Sequence, residues 1–137
     1  MITERAYAHR GSGEEDEWPW SVPCVRELLA GGMRFTAPVT FVVGENGSGK
    51  STLVEALAEG FGLDSWGGSH EWRHASHRAK SVLGEHIRFD AAPRGRRMLA
   101  SWSARQGFFL RAETALDALG RQGLDPGARS HGEGFLA

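Results

Sequence analysis

The 137-residue chain holds one cysteine, Cys24, one tyrosine, Tyr7, and two lysines, Lys50 and Lys80, against fourteen arginines. A single cysteine excludes an intramolecular disulfide and any cysteine-rich zinc site. No run of about 18 apolar residues occurs, so no membrane-spanning helix is expected. The opening Met1–Arg5 lacks the basic end and apolar core of a secretory signal, and a soluble cytoplasmic protein is the expectation. There is no internal repeat. The hydrophobic share of 40% and charged share of 24% exclude wholesale disorder. At 14.9 kDa the length suits one compact domain. What the chain has in excess is glycine: 19 residues, with no collagen-like period, which announces turns and close backbone approaches.

Charge is unevenly spread behind a net value of −1. Acid clusters at Glu14-Glu15-Asp16-Glu17. Between Glu71 and Arg111 lie Arg73, Arg78, Lys80, Arg88, Arg94, Arg96, Arg97, Arg105 and Arg111, opposed only by Glu71, Glu85 and Asp90. Such a stretch forms a solvated basic face or a contact for phosphates and nucleic acid.

Residues 1–17 read as a flexible acidic lead-in to a domain over 18–137. Prolines 19 and 23 favour extended chain over Trp18–Pro23. Val25–Ala30 is expected to be helical and closed by Gly31-Gly32, and Phe35 to lie in a short strand. Val39-Thr40-Phe41-Val42-Val43 has the β-branched and aromatic run of a buried strand. Lys50–Glu59 is expected as a helix, with Leu53, Ala56, Leu57 and Phe61 on one face and Gly60 and Gly62 as the stop. Asp64–Ser69 reads as loop and Glu71–Val82 as helix, within a helical, basic insert over about 70–105. Ala91–Arg97 reads as loop, Gly107–Leu110 as a second buried strand, and Ala112–Leu119 as an amphipathic helix.

Gly44-Glu45-Asn46-Gly47-Ser48-Gly49-Lys50-Ser51 fits G-x-x-x-x-G-K-[ST], the phosphate-binding P-loop, between an expected strand and an expected helix. Its glycines let backbone N–H groups of Gly44 through Gly49 converge on phosphate oxygens, aided by the helix dipole. Lys50 is expected to reach the β- and γ-phosphates as the catalytic cation. The Ser51 hydroxyl would ligate Mg²⁺, and Thr52 would contact the α-phosphate. ATP and Mg²⁺ are the expected ligands.

The wording Gly-Glu-Asn-Gly-Ser-Gly-Lys-Ser-Thr resembles the Walker A motif of ABC-type ATPases, including small AAA/ABC-like ATPases of bacteria. Supporting likeness lies in Trp20-Ser21-Val22-Pro23, Pro38-Val39-Thr40-Phe41, Gly107-Phe108-Phe109-Leu110-Arg111-Ala112-Glu113 and Ser130-His131-Gly132-Glu133. The resemblance implies an α/β P-loop NTPase core. It places Glu113 where the family carries its Q-loop glutamine, beside metal and attacking water. Read from the residues alone, Glu113 is equally a first-turn helix glutamate. The resemblance also makes Trp18 or Trp20 an adenine-stacking residue, whereas a packing role is the alternative. Segment 130–134 is similar to the ABC signature, with Arg129 and His131 departing from it, and implies homodimerisation through Ser130–Glu133. The Ser-x-x-Glu spacing is also a capping box, followed by only four residues.

A Walker B strand, apolar and ending in Asp, is missing. Phe108–Glu113 is interrupted by Arg111, and Ile87-Arg88-Phe89-Asp90 by Arg88. The core therefore reads as truncated before that strand, with ATP binding expected and turnover by this chain alone weak or nil. His70, His74 and His77 share helical spacing but lack a completing ligand, so they read as surface histidines rather than a metal site. Two other functions stay open: a non-catalytic nucleotide-dependent module that contacts DNA, and a small P-loop kinase.

Overall fold

A computed structural model describes residues 3–9, 17–69, 79–101, 106–112 and 114–115. The first element corrects the expected lead-in. Thr3–Ala8 forms β1, with Ala6 and Ala8 buried and Arg5 and Tyr7 alternating to the other face. Methyl side chains at the inward positions let the strand lie close to the core. β1 is central in an antiparallel sheet of order β2-β1-β4, flanked by Met33–Arg34 (β2) and Ile87–Ala91 (β4). Arg5 stands opposite both Arg34 and Asp90, and Tyr7 opposite Arg88. Two cross-strand arginines repel, and Asp90 offsets this through an ion pair with Arg5 at 2.8 Å.

The Trp18–Pro23 segment also departs from expectation, being a turn rather than extended chain. Ser21 N–H donates to the Glu17 carbonyl at 3.0 Å, and Val22 N–H to that of Pro19 at 3.2 Å. The turn delivers Trp20 into the core, where it is 1% exposed and meets His86 edge-on at 5.3 Å. Helix α1, Pro23–Gly31, follows with proline in its first turn, where a missing N–H costs nothing. Gly32 closes it, donating to the Leu28 carbonyl.

Helix α2, Lys50–Phe61, carries Leu53 and Ala56 into the core beside Val25, Leu28, Leu83 and Ile87. Gly60 lies inside the helix rather than ending it; Gly62, in left-handed conformation, is the cap. Gly60 serves close packing, since a Cβ there would sit 2.5 Å from Ile87 Cγ2 on β4. Next to it Phe61 stacks edge-on with Phe89 at 5.9 Å.

After β3, Gly68–Ser69, the described chain resumes at 79 and forms α3, Val82–His86. Of the expected 71–82 helix, residues 71–78 lie outside the described residues, as do His70, His74 and His77; residues 79–81 are irregular chain ending in the extended N-cap Ser81, so only Val82 of that stretch is helical. Buried Glu59 ties α3 to α2: its Oε2 accepts Ser81 N–H at 2.9 Å and the Ser81 hydroxyl at 2.5 Å. Ser81 Oγ in turn caps α3 by accepting Gly84 N–H at 3.1 Å. Pro93–Ala100, expected as loop up to Arg97, is helix α4, with proline again at the helix start. Phe108–Phe109 form β5, antiparallel to β3. That strand is shorter and more exposed than expected, with Phe108 exposed and Phe109 half-buried. Residues 116–119 of the expected last helix are outside the described set.

The largest departure is Val39–Val43. It is not a buried strand: among the described residues nothing pairs with it, and Phe41 is 84% and Val43 87% exposed. A β-branched run signals strand only where a neighbour supplies hydrogen bonds and cover.

The Glu59–Ser81 contact sets a prediction. Removing the carboxylate in Glu59→Ala leaves the Ser81 N–H without its acceptor and should cost about 1–3 kcal/mol. Urea unfolding followed by tryptophan fluorescence checks it; an unchanged midpoint excludes the contact as a stabilising one.

Candidate functional site

The Gly44–Ser51 turn is built so that α2 begins at Lys50. Gly49 is the N-cap, at φ 90°, and Gly47 has φ 82°. At Gly49 both conformation and space demand glycine. A Cβ there would stand 2.2 Å from Val22 Cγ1 and 2.8 Å from Cys24 Sγ, at the entrance of α1. The start of α1 is thus the floor under the turn, a pairing no sequence motif announces. Leu53 N–H donates to the Gly49 carbonyl at 2.9 Å, the first bond that locks the turn to the helix.

Lys50 folds back over the turn. Its Nζ donates to the carbonyls of Gly44 at 2.8 Å and Glu45 at 2.5 Å, and to Ser48 Oγ at 3.4 Å. Ser48 N–H also donates to the Glu45 carbonyl at 3.3 Å. Glu45, Asn46 and Gly47 are exposed at the tip, Ser51 is exposed on the first turn of α2, and Thr52 is half-buried. Of the expected cradle and metal residues, Gly44 through Thr52 are therefore all grouped at the N-terminus of one twelve-residue helix. That arrangement offers backbone N–H groups, a helix dipole and an ammonium to an anion.

Two cavities flank the turn, and Val42 and Lys50 line both. One, of about 410 Å³, lies toward α1 and is bordered by Cys24, Leu28, Gly44 and Ser48. The other, of about 260 Å³, is bordered by Ser51, Glu55, Phe109 and Arg111. Glu55 and Arg111 are a site pair the motif reading missed: Arg111 Nη1 lies 3.0 Å from Glu55 Oε1. The signal in the sequence was the i, i+4 spacing of Ser51 and Glu55, which puts both on one side of α2. Burial pushes the Cys24 thiol above its usual pKa, with Glu27 adding to the effect and Lys50 opposing it.

Glu113 and Ser130–Glu133 lie outside the described residues. Trp20 is a core residue, which favours packing for it, while Trp18 is 64% exposed. Asp90 is held by Arg5 on the sheet, so it is not a second carboxylate for the turn. Among the described residues no group of three or more His, Cys, Asp or Glu side chains could hold a metal ion.

A family model described as an AAA domain matches residues 32–71. That stretch resembles an AAA domain. It runs from the end of α1 past β3 and includes the whole Gly44–Ser51 turn, so the AAA-like likeness rests on that turn and its mixed α/β setting. No curated protein and no solved structure matches the chain.

The packing at Gly49 generates a second prediction. Gly49→Ala must hold a side chain in left-handed backbone, about 1–2 kcal/mol, and displace Val22 as well. The urea midpoint should fall. A folded Gly49→Ala protein with unaltered midpoint would contradict this packing.

The thiol gives a third. Since burial raises its pKa, Cys24 stays protonated at pH values where a free thiol has begun to ionise. Native alkylation by iodoacetamide should be slower than in urea and should keep rising with pH beyond about 8.5, the ordinary thiol midpoint.

Proposed function

We propose that this chain binds ATP with Mg²⁺ through Gly44–Thr52 and belongs functionally with AAA- and ABC-like P-loop ATPases. The observation that carries the reading is the Gly49–Lys50 joint. A left-handed glycine opens α2 with Lys50 and Ser51 at its first turn, inside the stretch that matches an AAA domain. Lys50 supplies the cation for the β- and γ-phosphates, exchanging the carbonyls of Gly44 and Glu45 for phosphate oxygens. The Gly44–Gly49 backbone cradles the phosphates, and Thr52 faces the α-phosphate.

The residues fit Mg²⁺ in the way that ion is usually held. Ser51 offers one exposed hydroxyl, and a nucleotide's phosphates and water complete an octahedron without a protein cage. When bound, the ion would neutralise charge between the β- and γ-phosphates. Water attack on the γ-phosphate needs a positioned acceptor. Glu113 is the candidate the family resemblance supplies, and turnover by this chain alone is proposed to be weak. Homodimerisation through Ser130–Glu133 and a cytoplasmic setting belong to the same proposal. Among the described residues, no helix is long and apolar enough to cross a membrane.

A polyanion-contact function has its own support. Arg88, Arg94, Arg96 and Arg97 are all exposed, on β4 and α4, and α4 contains no acidic residue to offset them. A salt-dependent gel shift with DNA tests that reading; its absence at low salt removes it.

For the main reading, titration calorimetry with ATP and Mg²⁺ should give saturable binding that Lys50→Ala weakens at least about tenfold, the loss of one charge-assisted hydrogen bond. Unchanged affinity in a folded Lys50→Ala variant rejects the P-loop reading. Phosphate release then separates a slow binder from an efficient ATPase.

A further inference from the structure

The 260 Å³ cavity beside Ser51 contains an ion pair that ATP binding as such does not require. Ser51 lines this cavity and not the larger one. In a P-loop the hydroxyl at that position sits with the metal between the β- and γ-phosphates. The smaller cavity is therefore the side on which the end of a triphosphate arrives. Its ionic side chains are Lys50, Glu55 and Arg111. Lys50 serves the turn itself.

Arg111 is mounted firmly. It follows β5, which pairs with Gly68–Ser69, and a Cβ on Gly67 would lie 3.0 Å from the Phe109 carbonyl and 3.8 Å from Arg111 N. Its Nη1 lies 3.0 Å from Glu55 Oε1 and donates to the Ser65 carbonyl at 3.4 Å. Both partners are about a third exposed at the side chain, 30% for Arg111 and 31% for Glu55. The guanidinium thus stands at the cavity wall, oriented but in reach of solvent. A planar guanidinium recognises carboxylate and phosphate oxygens by the same geometry. Glu55, one helical turn after Ser51, holds it on the Ser51 side of α2.

We propose that Arg111, positioned by Glu55, contacts the terminal phosphate of a nucleoside triphosphate at this P-loop and makes the site prefer ATP over ADP. The proposal rests on the ATP-binding reading and adds a residue that distinguishes the two nucleotides. Arg111 is the specificity-determining residue; Glu55 is a positioning residue.

The test is calorimetric binding of ATP and ADP, each with Mg²⁺, to the whole chain and to Arg111→Ala, Arg111→Lys and Glu55→Gln. Arg111→Ala should weaken ATP about tenfold or more, the scale of one charged hydrogen bond, and leave ADP within about twofold. Arg111→Lys should recover part of the ATP preference. Glu55→Gln should reduce the preference less than Arg111→Ala does. Urea midpoints of all variants identify loss through unfolding, which lowers both nucleotides together. If Arg111→Ala weakens ATP and ADP equally, or neither, the proposal is overturned while ATP binding stands. If the unaltered chain binds neither nucleotide, the P-loop reading fails and the proposal fails with it.

Discussion

The close contact of Gly49 with Val22 and Cys24 governs the rest of the molecule. It fixes where α2 begins and on what it rests. With φ at 90° and no space for a Cβ, the chain can turn into α2 only while lying against the first turn of α1. Every other role of α2 follows from that seat. Leu53 and Ala56 enter the core, Glu59 reaches Ser81, and Gly60 admits β4. One helix therefore joins the Gly44–Ser51 turn to the antiparallel sheet. Disturbance at the joint is carried into both, because packed interiors transmit displacement rather than absorb it.

The two sides of that helix differ in how they are satisfied. Toward the sheet, polar groups are matched: Arg5 with Asp90, Glu59 with Ser81 and Asp64 Oδ1 with the Trp66 N–H. Toward the Gly44–Ser51 turn, Lys50 bonds to backbone carbonyls, neutral partners weaker than an anion. A phosphate can displace such partners with a net gain in charge-assisted bonding. This gives Lys50 an organising contact that a ligand can outcompete. The apolar run at 39–43 leads into the turn without a paired neighbour among the described residues, so the turn's geometry depends on α1 and α2.

Local conformation around the turn was legible in the chain and the pairing was not. Gly44–Ser51 announced a glycine-rich turn into a helix because each residue type answers a local need, and the structure puts that turn at the head of α2. The spacing of Leu53, Ala56, Leu57 and Phe61 likewise marked the inward face of α2, since helical period is a property of one segment, although Leu57 and Phe61 are only half-buried and Ala58 and Glu59 are buried as well. Thr3–Ala8 was misread because Glu4 and Arg5 dominate its composition, whereas its strand character depends on Ile87–Ala91, eighty residues away. Val39–Val43 failed in the opposite direction: strong strand propensity without a partner. Pro93–Ala100 was hidden by Gly95 and its arginines, which leave no apolar stripe to read. The Glu55–Arg111 pair joins residues 56 apart, a separation no motif encodes.

The charge arrangement also constrains how a metal would reach the site. Among the described residues, the carboxylate that lines the Ser51 side of α2 is Glu55, and it is already paired with Arg111. Asp90 and Glu59 are committed elsewhere, and the described residues contain no three-member acidic or histidine cluster. A lone serine hydroxyl cannot strip water from a divalent cation, whereas phosphate oxygens can share in its coordination. The positive charge of Lys50 and of the α2 terminus opposes a bare cation and favours an anion. Under the proposed reading, then, the nucleotide comes to the turn carrying its metal, and the protein's contribution is the oriented cations and backbone N–H groups that receive the pair.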